Sequence, residues 1–427
     1  METIIHRGSR EVGGNCIEVR TSITRIVIDV GMPLFDEQRR PYDVRSLSRL
    51  PACDLRAKGI LQKIPGLFEL DRSNDDGESQ PRLDAILLSH AHQDHTGLLP
   101  FARTEIPVYG SSGTSKMMMA GAIFANQVSI PRDRFNVVDS NKRFRIGDIG
   151  ITPIPVDHSI YGSVAFLLEA DDKKILYSGD LRMHGRKPGM MRDFLNHCRD
   201  LDELLMEGTH VGLPNGPIQN EYAVEEQLVE SMTNAQKLVL ISVSVQNLDR
   251  LVGMIRAAKR TNRTLVLDFY SAFILYLISN EVRVPTLKSD SSMNLFVSKA
   301  LERKLKSGKL ATLRSQWSES EIRIEDLRSH PERYAMIFQN SMLQSDFEGC
   351  LPNGTRLIFS RWEGYLRQDS FVELQRTLDL AGGKTDVIHT SGHIYDFDLA
   401  QAIETIRPRS LKPIHTFEPE ALLKLNS

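Results

Sequence analysis

The residues best suited to chemistry form the short run HAHQDH, in which three histidines and one aspartate fall within six positions. They are His90, His92, Asp94 and His95. A single histidine is usually a structural residue, but four ligand-type side chains this close together favour a metal site. Zinc prefers imidazole nitrogens together with carboxylate oxygens, and manganese and iron accept the same ligands. The run therefore predicts a metal-dependent hydrolase.

A buried strand is predicted directly before this run, because Ala85–Leu88 is a short, continuous apolar segment. In an extended backbone, successive side chains alternate between two faces, so His90 and His92 share one face. A turn after Gln93 can then bring Asp94 and His95 back toward the same volume. Further short strands recur in the first half of the chain, which predicts sheets covered by helices, with polar residues at the strand ends.

The chain resembles the metallo-β-lactamase superfamily, whose HxHxDH signature is matched in full within SHAHQDHTG. Asp29, in IVIDVG, resembles the first-motif aspartate, which orients ligands without binding metal. His158, in VDHSIYG, resembles the third-motif ligand, and Asp180, in LYSGDLR, resembles the carboxylate that bridges two metals. The common order and intervals make these matches support one another.

The resemblance implies a two-metal site that holds two Zn²⁺ ions, with Mn²⁺ as the alternative. Seven residues would be the ligands: His90, His92 and His158 for one metal, Asp94, His95 and His415 for the other, and Asp180 for both. Two metals about 4 Å apart lower the pKa of a shared water and clamp an in-line displacement, which suits phosphodiester hydrolysis by an activated hydroxide.

A long insertion separates the metal motifs, and it is too large for a lactamase or a glyoxalase. Within it, a strand at Lys237–Val243, an amphipathic helix and a strand at Thr264–Leu267 form a βαβ unit, which predicts a parallel sheet. The segment ISVSVQNLDRLVGMIRAAKRTNRTLVLD resembles the opening of a β-CASP domain. The expected fold is an α/β metallo-β-lactamase αββα sandwich, formed by residues 1–208 and 385–427, with an inserted parallel α/β β-CASP domain at residues 209–384.

Glu207 in LLMEGTH, His393 in HTSGH and His415 in KPIHTFEPE resemble motifs A, B and C of β-CASP nucleases. This branch includes ribonuclease J and the cleavage-and-polyadenylation endonuclease. The resemblance places His393 beside the scissile phosphate, where it protonates the leaving oxygen or binds a phosphate oxygen, and Glu207 tunes its pKa. Asp94, Glu207 and His393 are therefore the predicted catalytic residues.

Four features depart from the pattern of ribonuclease J and its relatives. Ile394 stands where a small residue commonly follows SGH, and the usual HGE is absent at His415. The glycine- and glutamine-rich turn typical of ribonuclease J is not recognisable, and the segment SRWEGYL, at Ser360–Leu366, lies near its expected place. The extra C-terminal domain of ribonuclease J is not expected here. We therefore predict a compact β-CASP protein of bacterial or archaeal type and do not assign it to ribonuclease J.

The expected partner is single-stranded RNA. Because 53 basic and 55 acidic residues leave a formal net charge of −2, a local basic groove would have to bind it. One basic cluster supplies the candidate contacts: Arg250, Lys259, Arg260 and Arg263. These side chains could neutralise phosphates, but a solvated helix face balanced by nearby acids explains them equally well.

A cytoplasmic location is expected, because the start lacks a signal-peptide core and four scattered cysteines suit reduced thiols. The most apolar segment falls short of a membrane span, so no membrane partner is expected. Relatives of this kind commonly dimerise, which leaves a homodimer open.

Three functions remain open. The first is a ribonuclease acting on single-stranded RNA. The second is a DNA nuclease or another phosphodiesterase of the same fold. The third is a non-catalytic β-CASP scaffold subunit, although such subunits tend to lose ligands and every expected ligand is present here. The sequence does not distinguish cutting inside a strand from cutting at an end.

Overall fold

The computed structural model describes residues 1–74, 82–214, 216 and 220–426. The chain packs into two compact units. Unit 1 contains Met1–Asn215 and Gly392–Ser427, and unit 2 contains Gly216–Ser391. The predicted domain limits, after residues 208 and 384, stay predictions. Among the described residues, no helix is long and apolar enough to cross a membrane.

The first sheet of unit 1 has six strands that follow one another in chain order. They are β1 (Glu2–Arg7), β2 (Cys16–Arg20), β3 (Arg25–Ile28), β4 (Ala85–Leu88), β5 (Val108–Ser111) and β6 (Phe135–Val138). The strands from β3 to β6 pair in parallel, and β1, β2 and β3 pair antiparallel. The predicted strand Ala85–Leu88 is confirmed as β4, and all four of its residues are buried. A strand buried on both faces needs a continuous apolar sequence, which explains its composition.

The second sheet of unit 1 also has six strands, in the spatial order β18-β11-β10-β9-β8-β7. They are β7 (Phe144–Ile146), β8 (Ile149–Pro155), β9 (Val164–Ala170), β10 (Lys173–Tyr177), β11 (Glu203–Glu207) and β18 (Leu411–Ile414). The strands β10, β11 and β18 are parallel neighbours, whereas β9 runs antiparallel to both β8 and β10. The last strand of the chain therefore completes a sheet that began before the insertion.

The two sheets of unit 1 pack face to face through one apolar core. Ile28 and Leu87 from the first sheet belong to the same buried cluster as Phe166, Ile175 and Ile414 from the second. Helices cover the outer faces, and these are α4 (Ser112–Ala125) on the first sheet and α5 (Pro188–His197), α14 (Asp396–Ile406) and α15 (Pro419–Leu423) on the second. The predicted αββα sandwich is confirmed.

Short helices occupy the remaining connections of unit 1. The α-helices are α1 (Val44–Leu47), α2 (Ala52–Ala57) and α3 (Gln93–Thr96). Short 3₁₀ helices lie at Glu69–Asn74, Leu99–Phe101, Arg132–Arg134 and Lys424–Asn426.

Unit 2 is built on a six-stranded sheet in which every pair of neighbours is parallel. Its spatial order is β14-β13-β15-β12-β16-β17. The strands are β12 (Val239–Val243), β13 (Thr264–Asp268), β14 (Met293–Phe296), β15 (Tyr334–Ile337), β16 (Arg356–Ser360) and β17 (Lys384–Val387). The predicted βαβ unit is confirmed by β12, α7 (Leu248–Arg260) and β13.

The other helices of unit 2 cover this sheet or connect its strands. They are α6 (Glu221–Asn234), α8 (Phe269–Ile278), α9 (Lys299–Glu302), α10 (Gly308–Gln316), α11 (Ile324–Ser329), α12 (Ser341–Ser345) and α13 (Asp369–Leu380). Single 3₁₀ turns lie at Ser318–Ser320, Pro331–Arg333 and Glu363–Arg367. Phe371 and Leu374 of α13 pack against Leu357 and Phe359 of β16, so one face of the sheet is buried under this helix.

Two of the four residues predicted to contact RNA are buried inside unit 2. Arg250 is fully buried and forms an ion pair with Glu221, with Nη2 2.9 Å from Oε1. Arg263 donates hydrogen bonds to the backbone carbonyls of Met232, Lys237 and Tyr334. Because these guanidinium groups are engaged in the interior, the predicted RNA contacts of Arg250 and Arg263 are corrected to structural roles.

The other two basic residues lie at the surface. Lys259 contacts Asp290, with Nζ 2.5 Å from Oδ2, and Arg260 forms a pair with Glu226. Surface pairs of this kind open at little cost, so both side chains remain accessible to a phosphate. Their contact with RNA stays a prediction.

A buried ion pair stabilises the first sheet of unit 1. Glu18 of β2 is 2% exposed and accepts hydrogen bonds from Arg25 Nε at 2.8 Å and from His6 Nε2 at 2.9 Å. Burial raises the pKa of Glu18, but the hydrogen bonds and charges of His6 and Arg25 outweigh burial and lower it to about 2. The ionised carboxylate is therefore much more stable in the folded chain than in the unfolded one.

Replacing Glu18 by glutamine is expected to lower the free energy of unfolding by about 3 kcal/mol at pH 7, because one pKa unit corresponds to about 1.4 kcal/mol. The stability that this carboxylate contributes is present above the ordinary pKa of 4.5 and is lost as the pH falls toward 2. Urea unfolding at pH 7 and pH 4 should therefore show a smaller deficit at the lower pH. Glu2→Gln, in an exposed pair with Arg20, is the control, and a deficit that does not depend on pH would contradict the electrostatic origin.

Candidate metal centre

The second sheet of unit 1 delivers several candidate residues to one edge. Asp180 lies three residues after β10, Glu207 is the last residue of β11, and His415 directly follows β18. Because these three strands are parallel neighbours, their carboxyl ends meet at the same edge. His158 follows β8, which runs in the same direction as β10 because both are antiparallel to β9.

Other candidate site residues follow strands of the first sheet or lie in loops. Asp29 directly follows β3, and His90 lies two residues after β4. A turn was predicted after Gln93, and the structure has the short helix α3 there, which begins at Gln93 and carries Asp94 and His95. His393 lies in the loop that precedes α14.

Three of the predicted ligands form a cluster of imidazole rings. Nδ1 of His92 lies 3.1 Å from Nε2 of His90 and 3.2 Å from Nε2 of His158. Burial and the neighbouring imidazoles hold the pKa values of His90 and His158 well below the ordinary value. Burial also lowers the pKa of His92, to about 4. Three neutral rings with nitrogens this close together can direct their lone pairs at one cation.

The other predicted ligands form a second, more acidic cluster. Nε2 of His415 lies 3.2 Å from Oδ2 of Asp94, and Nε2 of His95 lies 3.0 Å from Oδ2 of Asp180. Burial acts to raise the pKa of Asp94, but the charges of His95 and His415 hold it well below the usual range. Two carboxylates and two imidazoles within this small volume are a typical oxygen and nitrogen ligand set for zinc.

Asp180 joins the two clusters. Its Oδ2 lies 3.6 Å from Nε2 of His90, in the first cluster, and 3.7 Å from Nε2 of His415, in the second. Its Oδ1 is buried and has no hydrogen-bond partner among the described residues. A buried carboxylate oxygen without a partner is costly unless a cation is bound. The residues present therefore fit two divalent cations that share Asp180.

Asp29 lies behind the second cluster and contacts it through one ligand candidate. Its Oδ2 accepts hydrogen bonds from His95 Nδ1 at 2.7 Å, Ser89 Oγ at 2.7 Å and Tyr177 Oη at 2.6 Å. With Nδ1 bound to this carboxylate, His95 presents Nε2 to Asp180. This is the arrangement in which a buried acid orients a histidine ligand without touching the metal.

The backbone at Asp29 and at His415 is left-handed, with φ values of 57° and 50°. Non-glycine residues adopt this conformation at a cost, and such residues concentrate at functional sites. A hydrogen bond of 2.6 Å from the His415 N–H to the Gly8 carbonyl helps to hold the conformation.

Glu207 and His393 form a pair at the side of the metal cluster. Nδ1 of His393 lies 3.2 Å from both carboxylate oxygens of Glu207 and 3.8 Å from Oδ2 of Asp180. Burial acts to lower the pKa of His393, but the charges of Glu207 and Asp180 raise it to about 9. Bound cations would act in the opposite direction.

Comparison with known families agrees with this geometry. The family described as "Beta-lactamase superfamily domain" matches residues 61–225, which include His90, His158 and Glu207. This segment of the chain is similar to the beta-lactamase superfamily. The chain is also similar to a solved structure of a protein of unknown function from Enterococcus faecalis, with a TM-score of 0.75 and 22% identity. That likeness covers 98% of this chain and 95% of the other, and it shows that the two chains share a fold.

Two curated proteins named for ribonuclease J are similar to this chain. A ribonuclease J from Helicobacter pylori is 21% identical over 96% of this chain and 55% of its own length. An RNase J-like protein from Methanocaldococcus jannaschii is 23% identical over 67% of this chain and 58% of its own length. The chain thus spans little more than half the length of these relatives.

Three residues that contact the candidate metal site were not identified from the sequence. Ser89 and Tyr177 donate to Asp29, and Thr209 contacts Glu207 and His415. Hydroxyl groups carry no ligand signature in a sequence, so spacing alone gives no signal for them. The available signal is their position, since each stands at or just after a strand end.

Replacing Asp180 by asparagine is expected to weaken the binding of both metals by about 100-fold or more, because the ligand shared by the two clusters loses its charge. His158→Ala should chiefly release one metal. Metal content measured by mass spectrometry, after dialysis against a weak chelator, distinguishes the two variants. Asp193→Asn, at an exposed position of α5, is the control, and an Asp180→Asn protein that keeps one metal at wild-type affinity would argue against a shared ligand.

Proposed function

We propose that the chain is a metal-dependent phosphodiester hydrolase that cleaves single-stranded RNA. The observation that carries this proposal is the position of His393. Its ring lies 3.2 Å from Glu207 and 3.8 Å from Asp180, so a group able to donate a proton stands beside the carboxylate proposed to hold both cations. A hydrolase of phosphodiesters needs these two elements together.

The ligand roles follow from the two clusters. His90, His92 and His158 would hold one Zn²⁺ ion, Asp94, His95 and His415 the second, and Asp180 both, with Mn²⁺ as the alternative. When bound, the two cations would activate water and stabilise negative charge on the phosphate. Asp29 holds the ring of His95, and the carbonyl of Gly392 accepts a hydrogen bond from Nδ1 of His158 at 2.6 Å. The protein thus orients these rings before a substrate arrives.

His393 would protonate the leaving oxygen. Glu207 accepts a hydrogen bond from Nδ1 of His393, and Glu207 is itself held by the backbone N–H of Leu181, 2.9 Å from Oε1. With Nδ1 occupied in this way, Nε2 is the atom that would donate to the leaving oxygen. A neighbouring carboxylate favours the protonated ring, which is the form that a general acid requires.

RNA as the substrate is supported by the names of the relatives, among which ribonucleases J recur. Lys259 and Arg260 are exposed basic residues that could bind the phosphate backbone. A DNA nuclease remains the competing function, and substrate comparison separates the two.

Purified protein supplied with Zn²⁺ or Mn²⁺ should shorten a 5′-labelled single-stranded RNA faster than DNA of the same sequence. Asp94→Asn should reduce the rate by about 100-fold or more, because it removes a charge beside the shared carboxylate. Gel electrophoresis of the labelled products measures both effects, and Asp139→Asn, at an exposed surface position, is the control. RNA that stays intact while a small ester or thioester is hydrolysed would refute the proposal, and faster cleavage of DNA would favour a DNA nuclease.

His393→Ala should lower kcat by a factor of about 10² to 10⁴, because it removes the proton donor. The number of metals bound per chain should not change, since the seven proposed ligands remain. Single-turnover cleavage and metal analysis of the same sample measure the two quantities. The exposed His197→Ala is the matched control. Loss of a metal from His393→Ala would instead identify His393 as a ligand.

A further inference from the structure

Thr209 occupies a central position that the proposed chemistry has not used. Its hydroxyl oxygen lies 2.7 Å from Oε2 of Glu207, 2.8 Å from Nδ1 of His415 and 3.1 Å from Nδ1 of His393. A longer contact of 3.3 Å reaches the carbonyl of His415. One hydroxyl group thus contacts the proton-donor pair and a proposed metal ligand at the same time.

The number of hydrogens on Thr209 decides the direction of these contacts. A hydroxyl donates one hydrogen and accepts through two lone pairs. The carboxylate of Glu207 already accepts from the backbone N–H of Leu181 and from the backbone N–H of Thr209 itself. It therefore accepts the hydroxyl hydrogen as well, over the shortest of the four contacts, and hydrogen bonds to a carboxylate are the stronger ones.

The hydroxyl oxygen then faces both imidazole rings as an acceptor. Nδ1 of His415 must carry a hydrogen to form its 2.8 Å contact. The hydrogen on Nδ1 of His393 is shared between Glu207 and this hydroxyl oxygen, which lies 3.1 Å away. In a neutral imidazole with its hydrogen on Nδ1, the lone pair lies on Nε2. In His415 this lone pair points at Oδ2 of Asp94, 3.2 Å away, and toward Oδ2 of Asp180 at 3.7 Å.

A lone pair that faces two carboxylates is repelled unless a cation lies between them. The tautomer that Thr209 selects is thus unfavourable for an isolated cluster of side chains and favourable for a metal ligand. Asp29 selects the same tautomer of His95, and the carbonyl of Gly392 selects the same tautomer of His158. His415 has no such carboxylate at Nδ1 among the described residues, and the hydroxyl of Thr209 takes that place.

We infer that Thr209 is a positioning residue that ties the metal ligand His415 and the proton donor His393 to the same carboxylate, Glu207. The backbone of His415 places its ring, and the hydroxyl of Thr209 sets which nitrogen faces the metal. The inference rests on the proposed metal binding and adds a residue to it. Glu207 then contacts the proton donor His393 directly and the metal ligand His415 through the hydroxyl of Thr209.

The test compares two substitutions of Thr209. Thr209→Val keeps the shape of the side chain and removes the hydroxyl, whereas Thr209→Ser keeps the hydroxyl and removes a methyl group. Competition with a chromogenic chelator should show that Thr209→Val raises the dissociation constant of one of the two Zn²⁺ ions by about 10- to 100-fold. Thr209→Ser should stay within about threefold of the wild type.

Thr114→Val is the matched control, because Thr114 is a buried threonine of unit 1 whose hydroxyl bonds only to Ser111 and the Gly162 carbonyl in the contacts described. It should leave both zinc affinities unchanged. Thermal melting of each chelator-treated variant separates a loss of affinity from a loss of folding. Thr209→Ala provides the same loss of the hydroxyl if the valine variant does not fold.

Wild-type zinc affinity in Thr209→Val would overturn the inference, and so would an equal loss in the valine and serine variants, which would indicate packing. A wild-type protein that binds no divalent cation would overturn the proposed function and this inference together. If the wild type binds two ions and Thr209→Val changes neither dissociation constant, only the inference about Thr209 is overturned.

Discussion

One carboxylate oxygen organises the site. Oδ2 of Asp180 lies between 3.0 and 4.0 Å from ring nitrogens of five histidines, which come from both sheets, from the last strand and from the loop before α14. A charge buried this deeply is tolerated only where opposite charge or hydrogen bonds compensate it. The sandwich meets that requirement because parallel strands end at a common edge, so that residues distant in sequence meet around one atom.

Much of this arrangement could be predicted from the sequence because its signals are local. The run from His90 to His95 shows its ligand types directly, and the apolar segment Ala85–Leu88 before it places the run at a strand end. Thr209 was not predictable, because its role depends on the register of two distant strands. Glu207 of β11 pairs with Ile414 of β18, and this pairing brings Thr209 beside His415.

The basic residues of α7 show a different limit. Arg250 and Arg260 lie on the same helix and both belong to the predicted RNA-binding cluster, yet one is buried and the other is exposed. The partner that buries Arg250 is Glu221 of α6. Composition alone cannot distinguish the two arginines, because only tertiary packing decides which acid meets which base.

The position of β18 in the second sheet has a consequence for the order of synthesis. His158, Asp180 and Glu207 precede the whole of unit 2 in the chain, whereas His393 and His415 follow it. When the residues of the first set have left the ribosome, those of the second set have not yet been synthesised. The second sheet then still lacks its sixth strand, β18. A growing chain therefore contains most of its candidate metal ligands well before it can assemble the site, and the proposed proton donor and the last proposed ligand are made only after unit 2 has been translated.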